Sequence, residues 1–315
     1  MIKVDVLIVG GGPAGAACAW RLRQGGANCL ILDRSSFPRP KPCAGWITPG
    51  VLDDLDFAIA DYPCSFTTFS SFQVAIKNFR FKLRTRQYAI RRIEFDEWLL
   101  RRAGAPFEVH EVKSIRQTGD GYEIDGKYFA RRLIGAGGTH CPVYQTLFKP
   151  AHPKPRESLI VAMEEEFHYP QADPACRLWF FQDGLPGYAW YVPKAGGWLN
   201  IGIGGTADGM RGSNNRLIDH WGRLVQRLAQ SGLVRGHVFQ PSAYTYYLRQ
   251  RKPHLRQGNA FLVGDAAGLA TRDMGEGIAA AVRSGILAAE AILYGREYSV
   301  RAVPRYSWVS MNPFA

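Results

Sequence analysis

The first forty residues alternate short apolar runs with a cluster of glycines. Residues 4–9 form a β-branched apolar run, as is typical of a strand buried on both faces of a parallel sheet. Residues 14–23, with their Ala, Leu and Trp side chains, predict a helix, and residues 29–32 predict a second buried strand. This order predicts a β-α-β unit at the start of the chain.

The middle of the chain follows another pattern. Phe79, Phe81 and Leu83 alternate with three basic residues, which is the period-two signature of a half-exposed antiparallel strand. Residues 158–205 are rich in aromatic and turn residues and predict meandering strands, and another strand is predicted at 243–248. These segments predict a second, mostly antiparallel sheet.

Helical spacing returns at residues 94–103 and again at 217–228, where Ser213 or Asn214 is the expected N-cap. A buried strand at 260–263 leads through a glycine turn into an alanine-rich helix that ends near Leu293. The predicted fold class is therefore α/β, with a Rossmann-type domain into which a mostly antiparallel substrate domain is inserted.

The domain boundaries follow from the same segments. The nucleotide-binding domain is predicted to be discontinuous, and the substrate domain fills the intervals between its parts. The first domain takes residues 1–62, 88–150 and 255–315, and the second takes residues 63–87 and 151–254.

The glycine cluster fits a phosphate-binding loop between a strand and a helix. Gly10 permits the tight turn, Gly12 lets a pyrophosphate approach the backbone, and Gly15 allows close packing of helix on strand. The helix that starts with Pro13 and Ala14 directs free N–H groups at the phosphate. Asp33 ends the second strand, where its carboxylate can accept ribose hydroxyls, and Arg34 is expected against the adenine. This unit alone fits either NAD or FAD.

A second motif near the other end of the chain favours FAD. The strand that ends at Gly264 brings backbone close to the middle of the cofactor, and Asp265 can accept a ribityl hydroxyl. The last helix is expected to begin near Gly277, where its positive dipole end would stabilise the charge of a reduced flavin ring. A nicotinamide dinucleotide has no ribityl chain, so two such sites on one sheet favour FAD.

Four further stretches give the chain a family resemblance. They lie at residues 41–45, 92–96, 188–193, and 264–268 followed by 275–278. In this order the sequence resembles the geranylgeranyl reductase family, within the flavoproteins of the para-hydroxybenzoate hydroxylase fold. The resemblance implies an FAD-dependent oxidoreductase that transfers hydride to carbon–carbon double bonds of an isoprenoid chain.

The resemblance also implies a role for each matching residue. Tyr188, Trp190 and Pro193 should line a substrate cavity, and Cys43 should lie beside the flavin ring as a positioning or packing residue or as a thiol near the reacting atoms. The expected cofactor contacts are Gly10, Gly12, Pro13, Ala14, Gly15, Asp33, Arg34, Cys43, Ala44, Gly45, Arg92, Val112, Gly264, Asp265, Gly275, Gly277 and Ile278.

Several of these residues also fit an ordinary structural role. Tyr188 and Trp190 are two residues apart, so they share one strand face, which fits either an ordinary core or a cavity wall. The thiol of Cys43 fits a packing role, because free cysteines are commonly buried. Lys194 is expected to be solvated rather than to bind a diphosphate.

The electron donor is left open by the residues. Relatives in the wider superfamily carry an aspartate near the chain midpoint that touches both cofactors, and Gly137 stands at that position here. No further glycine motif follows a strand, so the expected donors are NAD(P)H, ferredoxin or a partner flavoprotein. The chain ends about twenty residues after its last helix, whereas these reductases continue, so a smaller or more exposed substrate is also considered.

Two other functions compete with the reductase. One is a flavin monooxygenase or halogenase, since residues 188–193 are similar to the tryptophan–proline stretch of flavin halogenases. The other is a flavin-binding or electron-transfer module without its own organic substrate.

Composition narrows the class of partners. The formal net charge of +12 fits nucleic acid, an acidic membrane surface or phosphate-bearing small molecules, and dispersed basic residues rank nucleic acid last. Six scattered cysteines lack metal-ligand spacing and predict reduced thiols and no metal site. The expected location is the cytoplasm, without a signal peptide and with peripheral membrane contact left open.

Overall fold

The computed structural model describes residues 1–212 and 216–307. Ser213 and Asn214, the expected cap residues, lie outside the described residues, and Arg216 is the N-cap of the helix that follows. The helices are α1 (Pro13–Gln24), α2 (Pro49–Asp54), α3 (Arg92–Arg102), α4 (Ala207–Gly212), α5 (Leu217–Gln230) and α6 (Ile278–Tyr294). The strands are β1 (Ile2–Val9), β2 (Cys29–Asp33), β3 (Trp46–Ile47), β4 (Thr67–Ile76), β5 (Phe79–Ala89), β6 (Phe107–Val109), β7 (Ile115–Thr118), β8 (Gly121–Ile124), β9 (Tyr128–Gly135), β10 (Leu159–His168), β11 (Cys176–Phe180), β12 (Gly187–Lys194), β13 (Trp198–Thr206), β14 (Ser242–Tyr247), β15 (Arg256–Gln257) and β16 (Ala260–Leu262).

The first sheet is the predicted nucleotide-binding sheet. Its strands follow the order β15-β16-β9-β1-β2-β6, and the pairs from β16 to β6 are parallel. The hairpin of β7 and β8 joins this sheet because β8 pairs antiparallel with the first residues of β9. Because β1 and β16 lie on either side of β9, the glycine turns that follow them meet at one edge of the sheet.

Helices α1 and α6 pack closely against the first sheet and against each other. A side chain at Gly285 would place its Cβ only 2.2 Å from the carbonyl oxygen of Ala14, so the two backbones touch. This contact places the N-terminus of α1 against the middle of α6, because Gly285 is the eighth residue of that helix.

The second sheet follows the order β14-β10-β13-β12-β11-β4-β5-β3. All its pairs are antiparallel except β11 with β4, so the prediction of a mostly antiparallel sheet is confirmed. Strand β3, which pairs with the end of β5, takes residues 46–47 into this sheet from within the segment that the sequence assigned to the nucleotide-binding domain. The chain therefore changes sheets directly after the turn at Gly45, whose φ is +74°.

The α/β fold class is confirmed by these two sheets. In residues 1–212 and 216–307, no helix combines the length and the apolar character that crossing a bilayer requires.

Candidate active site

A long cavity lies between the two sheets. Its volume of about 1180 Å³ exceeds the roughly 300–1,000 Å³ of ordinary small-molecule pockets. One end is lined by the glycine turn at Gly10 and Gly12, and the other by Tyr188 and Trp190 of the second sheet. The cavity therefore has room for an elongated cofactor and for a second molecule beside it.

The glycine turn has no space for side chains. Gly10 has a φ of +115°, and an added Cβ would lie 2.4 Å from the backbone of Ala136. At Gly15 an added Cβ would lie 1.9 Å from the carbonyl oxygen of Gly10. Pro13 occupies the first helical position, where a missing N–H costs nothing. The turn is thus a bare backbone cradle at the start of α1, as a phosphate requires.

Asp33 lies at the end of β2 beside this cradle. Its carboxylate accepts the N–H of Gly11 at 2.8 Å and the N–H of Ser35 at 3.0 Å. Two carboxylate oxygens offer about four acceptor sites, so capacity remains for ribose hydroxyls. These bonds fix the carboxylate at the cavity wall, where the sequence placed it.

Arg92 and Asp96 form a rigid ion pair at the cavity wall. The guanidinium of Arg92 bonds Asp96 through two atoms, with Nε 2.7 Å from Oδ1 and Nη2 2.8 Å from Oδ2. Arg39 lies 3.9 Å from the same carboxylate. Both arginines are buried or half-buried and line the cavity, at the position where a pyrophosphate would need positive charge.

The start of α6 forms the far side of the cofactor region. Gly277 is the N-cap of α6, and Glu276 accepts the N–H of Ala279 at 2.8 Å. Burial raises the pKa of Glu276 to about 7, although hydrogen bonds from backbone N–H groups lower that pKa in part. Asp265, in the turn after β16, also lines the cavity, and Lys154 donates to its carbonyl oxygen at 3.2 Å.

The substrate end has a wall of aromatic rings whose polar atoms are already bonded. The hydroxyl of Tyr188 donates to the carbonyl of Met274 at 2.5 Å, and Nε1 of Trp190 donates to Oδ1 of Asn200 at 2.7 Å. Trp190 pairs with Gly202 of β13, where an added Cβ would lie 2.2 Å from the indole. Glycine therefore lets the indole lie flat on the neighbouring strand.

The buried carboxyl group of Glu164 binds the loop that carries Cys43. The N–H of Cys43 donates to Oε1 of Glu164, and Nδ2 of Asn200 donates to the same oxygen at 3.3 Å. The hydroxyl of Tyr244 lies 3.4 Å from the other oxygen. Burial raises the pKa of Glu164 to about 7, while the charge of Lys194 and the hydrogen bonds lower it in part.

Glu164 and Asn200 belong to the candidate site but are not among the residues predicted from the sequence. The signal was present, because Ile160 and Ala162 are the inward positions of β10 and Glu164 continues their period of two. A charged residue at an inward strand position indicates a special role.

Lys194 corrects the expectation of a solvated side chain. Its side chain is buried, and Nζ lies 2.5 Å from Oε2 of Glu166. Arg91 holds the other oxygen of that carboxylate at 2.9 Å. Lys194 shares its strand face with Tyr188 and Trp190, so period two takes it inward rather than to solvent.

Most of the residues predicted for the site line one cavity. Gly15, Gly45, Gly264 and Pro193 are the exceptions. The three glycines pack their backbone against neighbouring segments instead. Pro193 is not at the cavity wall, because it lies on the face of β12 opposite to Tyr188 and Trp190. The predicted residues at the cavity wall are Gly10, Gly12, Pro13, Ala14, Asp33, Arg34, Cys43, Ala44, Arg92, Val112, Tyr188, Trp190, Asp265, Gly275, Gly277 and Ile278.

The residues present fit FAD. A cradle that any Cβ would fill, an acidic strand end, a buried arginine and a second helix N-terminus follow one another along the cavity. This is the order of phosphate, ribose and ring sites that an adenine–flavin dinucleotide needs.

Comparison with known proteins agrees with this fit. The model of the FAD binding domain family matches residues 3–58. An uncharacterized protein of Methanosarcina barkeri is 32% identical over 93% of this chain and 75% of its own length. A digeranylgeranylglycerophospholipid reductase of Methanopyrus kandleri is 28% identical over 64% of this chain. The chain belongs to the geranylgeranyl reductase family of FAD-dependent oxidoreductases.

The solved structures give the same fold to a member of this family. A geranylgeranyl bacteriochlorophyll reductase-like protein of Thermoplasma acidophilum superposes with a TM-score of 0.80 and 22% identity, over 98% of this chain and 82% of that one. This chain spans 58% of the length of the Methanopyrus enzyme. The cofactor of this chain is FAD.

Proposed function

We propose that the protein reduces carbon–carbon double bonds of an apolar, isoprenoid-like substrate. The observation that carries the proposal is the aromatic wall of Tyr188 and Trp190, whose polar atoms are both occupied by protein partners. When bound, reduced FAD supplies the hydride for such a reaction. The protein supplies the pocket, the orientation and the proton.

A hydrocarbon chain needs walls without unsatisfied polar groups, because an unpaired polar group loses its water without compensation. Ala162 and Met274 line the cavity next to the two aromatic rings and add apolar surface. Burial holds the pKa of Tyr188 well above its usual range, so its ring stays uncharged. The wall therefore suits an alkene and disfavours a charged substrate.

Each reduction also consumes a proton. Glu164 has a pKa of about 7 and holds a proton near neutral pH, and the hydroxyl of Tyr244 lies 3.4 Å from its Oε2. Tyr244 lines the cavity, whereas Glu164 lies behind it. We propose that the tyrosine hydroxyl passes a proton from the buried carboxyl group to the substrate carbon, while hydride reaches the other carbon.

The test is a single turnover without oxygen. Holoenzyme reduced with dithionite is mixed with geranylgeraniol. Flavin reoxidation is followed by absorbance, and the mass of the product is determined by mass spectrometry. The expected product has gained two hydrogen atoms per turnover. In Tyr244→Phe the flavin should be reoxidised more slowly, while substrate binding should be nearly unchanged.

Other outcomes of the same experiment would overturn the proposal. Inertness toward polyprenyl and other alkene substrates would exclude this reductase activity. If oxygen is admitted and the product gains an oxygen or halogen atom, the protein belongs with the monooxygenases or halogenases. Anaerobic titration with NADH, NADPH and reduced ferredoxin identifies the electron donor separately.

A further inference from the structure

An exposed apolar cluster lies at one end of the second sheet, where β4, β5 and β11 meet. Phe79 is 68% exposed, Phe181 is 51% exposed and Ile76 is 39% exposed. Ile76 pairs with Phe79 across the β4–β5 hairpin and with Phe180 across β11, so the three exposed side chains come from neighbouring strand ends. We call Ile76, Phe79 and Phe181 the tip patch.

The tip patch is built on fixed turns. Lys77 has a φ of +51° and Phe181 a φ of +55°, conformations that non-glycine residues seldom adopt. The N–H of Lys77 donates to the carbonyl of Phe180 at 3.3 Å, and Nε2 of Gln182 donates to the carbonyl of Lys77 at 2.6 Å. Two strained turns that hold one another keep the rings on the surface, which argues against a chance exposure.

The surroundings of the tip patch are strongly cationic. Residues 62–93 contain seven lysines and arginines and no acidic residue. Strand β5 exposes Arg80, Lys82, Arg84 and Arg86 along its free edge. Within residues 1–212 and 216–307, none of these four has a carboxylate within ion-pair distance. Among the residues that the structure describes, these four cations therefore have no acidic partner.

A chain of aromatic contacts joins the tip patch to the cavity. The rings of Phe181 and Phe180 are 6.2 Å apart, and Phe180 stacks on Tyr188 with centroids 5.0 Å apart. Tyr188 is in turn 5.6 Å from Trp190 on the cavity wall. Aromatic side chains therefore pack one against the next from the tip patch to the proposed substrate site.

A purely structural role explains only part of this arrangement. Charged side chains on an edge strand prevent pairing with another sheet, which accounts for the four cations of β5. It does not account for Phe79 and Phe181, because exposed aromatic rings at an edge favour association. Apolar rings next to unpaired cations are what an anionic lipid surface binds.

We propose that the tip patch docks the protein on an anionic lipid bilayer. The rings of Phe79 and Phe181 enter the headgroup region, and Arg80 and Lys82 bind lipid phosphates. The benefit of this contact depends on the proposed function. It places the aromatic side chains between Phe181 and Trp190 against the lipid that holds the substrate.

The test uses holoprotein and sedimentation with vesicles of phosphatidylcholine alone or with phosphatidylglycerol. We expect binding to the phosphatidylglycerol vesicles that falls steeply in 0.5 M salt, which screens charges beyond roughly 4 Å. The double variant Arg80→Gln/Lys82→Gln should bind roughly 30-fold more weakly, since each cation near the surface contributes roughly five-fold. Phe79→Ser/Phe181→Ser should bind roughly 10-fold more weakly at low salt.

Matched controls come from other surfaces of the chain. Lys113→Gln/Arg131→Gln removes two exposed cations, one from the loop before β7 and one from β9, and Val238→Ser removes an apolar side chain that is 80% exposed. Both controls should bind the vesicles as the wild type does. Equal losses in the controls and the tip-patch variants would overturn the proposal, and so would wild-type protein that stays in the supernatant.

The tip patch could instead bind a second copy of the chain. A wild-type dimer that ignores vesicles and becomes monomeric in Phe79→Ser would assign the patch to that contact and overturn membrane docking. Sedimentation requires no turnover, and reduction of a detergent-dispersed alkene requires no vesicle. Failure of the docking proposal is therefore distinguishable from failure of the proposed reductase activity.

Discussion

Replacing Glu164 with glutamine is expected to stabilise the protein above neutral pH and to matter little in acid. Glu164 is 3% exposed, and its carboxyl group accepts hydrogen bonds from the N–H of Cys43 and the amide of Asn200. Burial raises its pKa to about 7, and Glu166 raises it further, while Lys194 and the hydrogen bonds lower it in part. Glutamine keeps the shape and the accepting oxygen but never ionises.

The sign follows from the two states of the chain. An exposed glutamate of the unfolded chain ionises near 4.5, and Glu164 in the folded chain ionises near 7. Between these values the folded state keeps a proton that the unfolded state has lost, so stability falls as the pH rises through the window. The total loss is about 3 kcal/mol by pH 8. Glu276 has a similar pKa, but it is present in both proteins and cancels in the comparison.

Equilibrium urea unfolding at a fixed FAD concentration measures the effect. At pH 5 the variant and the wild type should agree within about 1 kcal/mol, and at pH 8 the variant should be about 3 kcal/mol more stable. Glu157→Gln, at an exposed position, is the control and should show no such pH dependence. If Glu164→Gln is the less stable protein at pH 8, the carboxylate is stabilised by its neighbours and our argument from burial is wrong.

Two further substitutions test the cofactor region. Gly15→Ala should prevent FAD binding, because its Cβ would lie 1.9 Å from the carbonyl oxygen of Gly10 and the turn would have to open; the flavin-to-protein absorbance ratio of the purified variant measures this. Arg92→Lys should lower the free energy of unfolding by about 1–3 kcal/mol in urea, because an ammonium group cannot reproduce the two-atom contact with Asp96.

Each of these substitutions has a matched control. Gly119 lies in the β7–β8 turn with open space around it, so Gly119→Ala should retain flavin. Arg101 pairs with Glu97 at the same helical spacing as Arg92 with Asp96, but it is exposed, so Arg101→Lys should cost less than about 0.5 kcal/mol. A flavin-replete Gly15→Ala would contradict the packing argument. Equal losses in the two arginine variants would contradict the role of burial.

Local patterns predicted the elements that bind the cofactor. The turn from Gly10 to Gly15 is specified by adjacent residues, so its conformation follows from the sequence alone. The start of α6 at Gly277 was predicted in the same way and is confirmed. Such features depend on neighbours within a few positions, which a single sequence displays.

The buried charges of the second sheet depend on strand register, which the sequence does not display. Asn200 of β13 pairs with Glu166 on one side and with Val192 on the other. Only this register brings Lys194 of β12 within 2.5 Å of Glu166 on β10. Period two could have placed Lys194 and Glu164 on inward faces, but it does not identify their partners. The partner of Lys194 lies two strands away, and those of Glu164 lie on the adjacent strands and in the Cys43 loop.

The positive charge that is dispersed along the sequence is concentrated by the fold in two places. Arg34 and Arg39, from the loop after β2, and Arg92, from the start of α3, meet at the cavity, where FAD brings two phosphates. The cations of β5 lie on the outer edge of the second sheet, where they carry the proposed lipid contact. Composition alone left phosphate ligands and an acidic surface as competing explanations of one net charge. Because the two sets of cations lie in different parts of the fold, cofactor binding by the first set and the proposed lipid contact of the second can be tested separately.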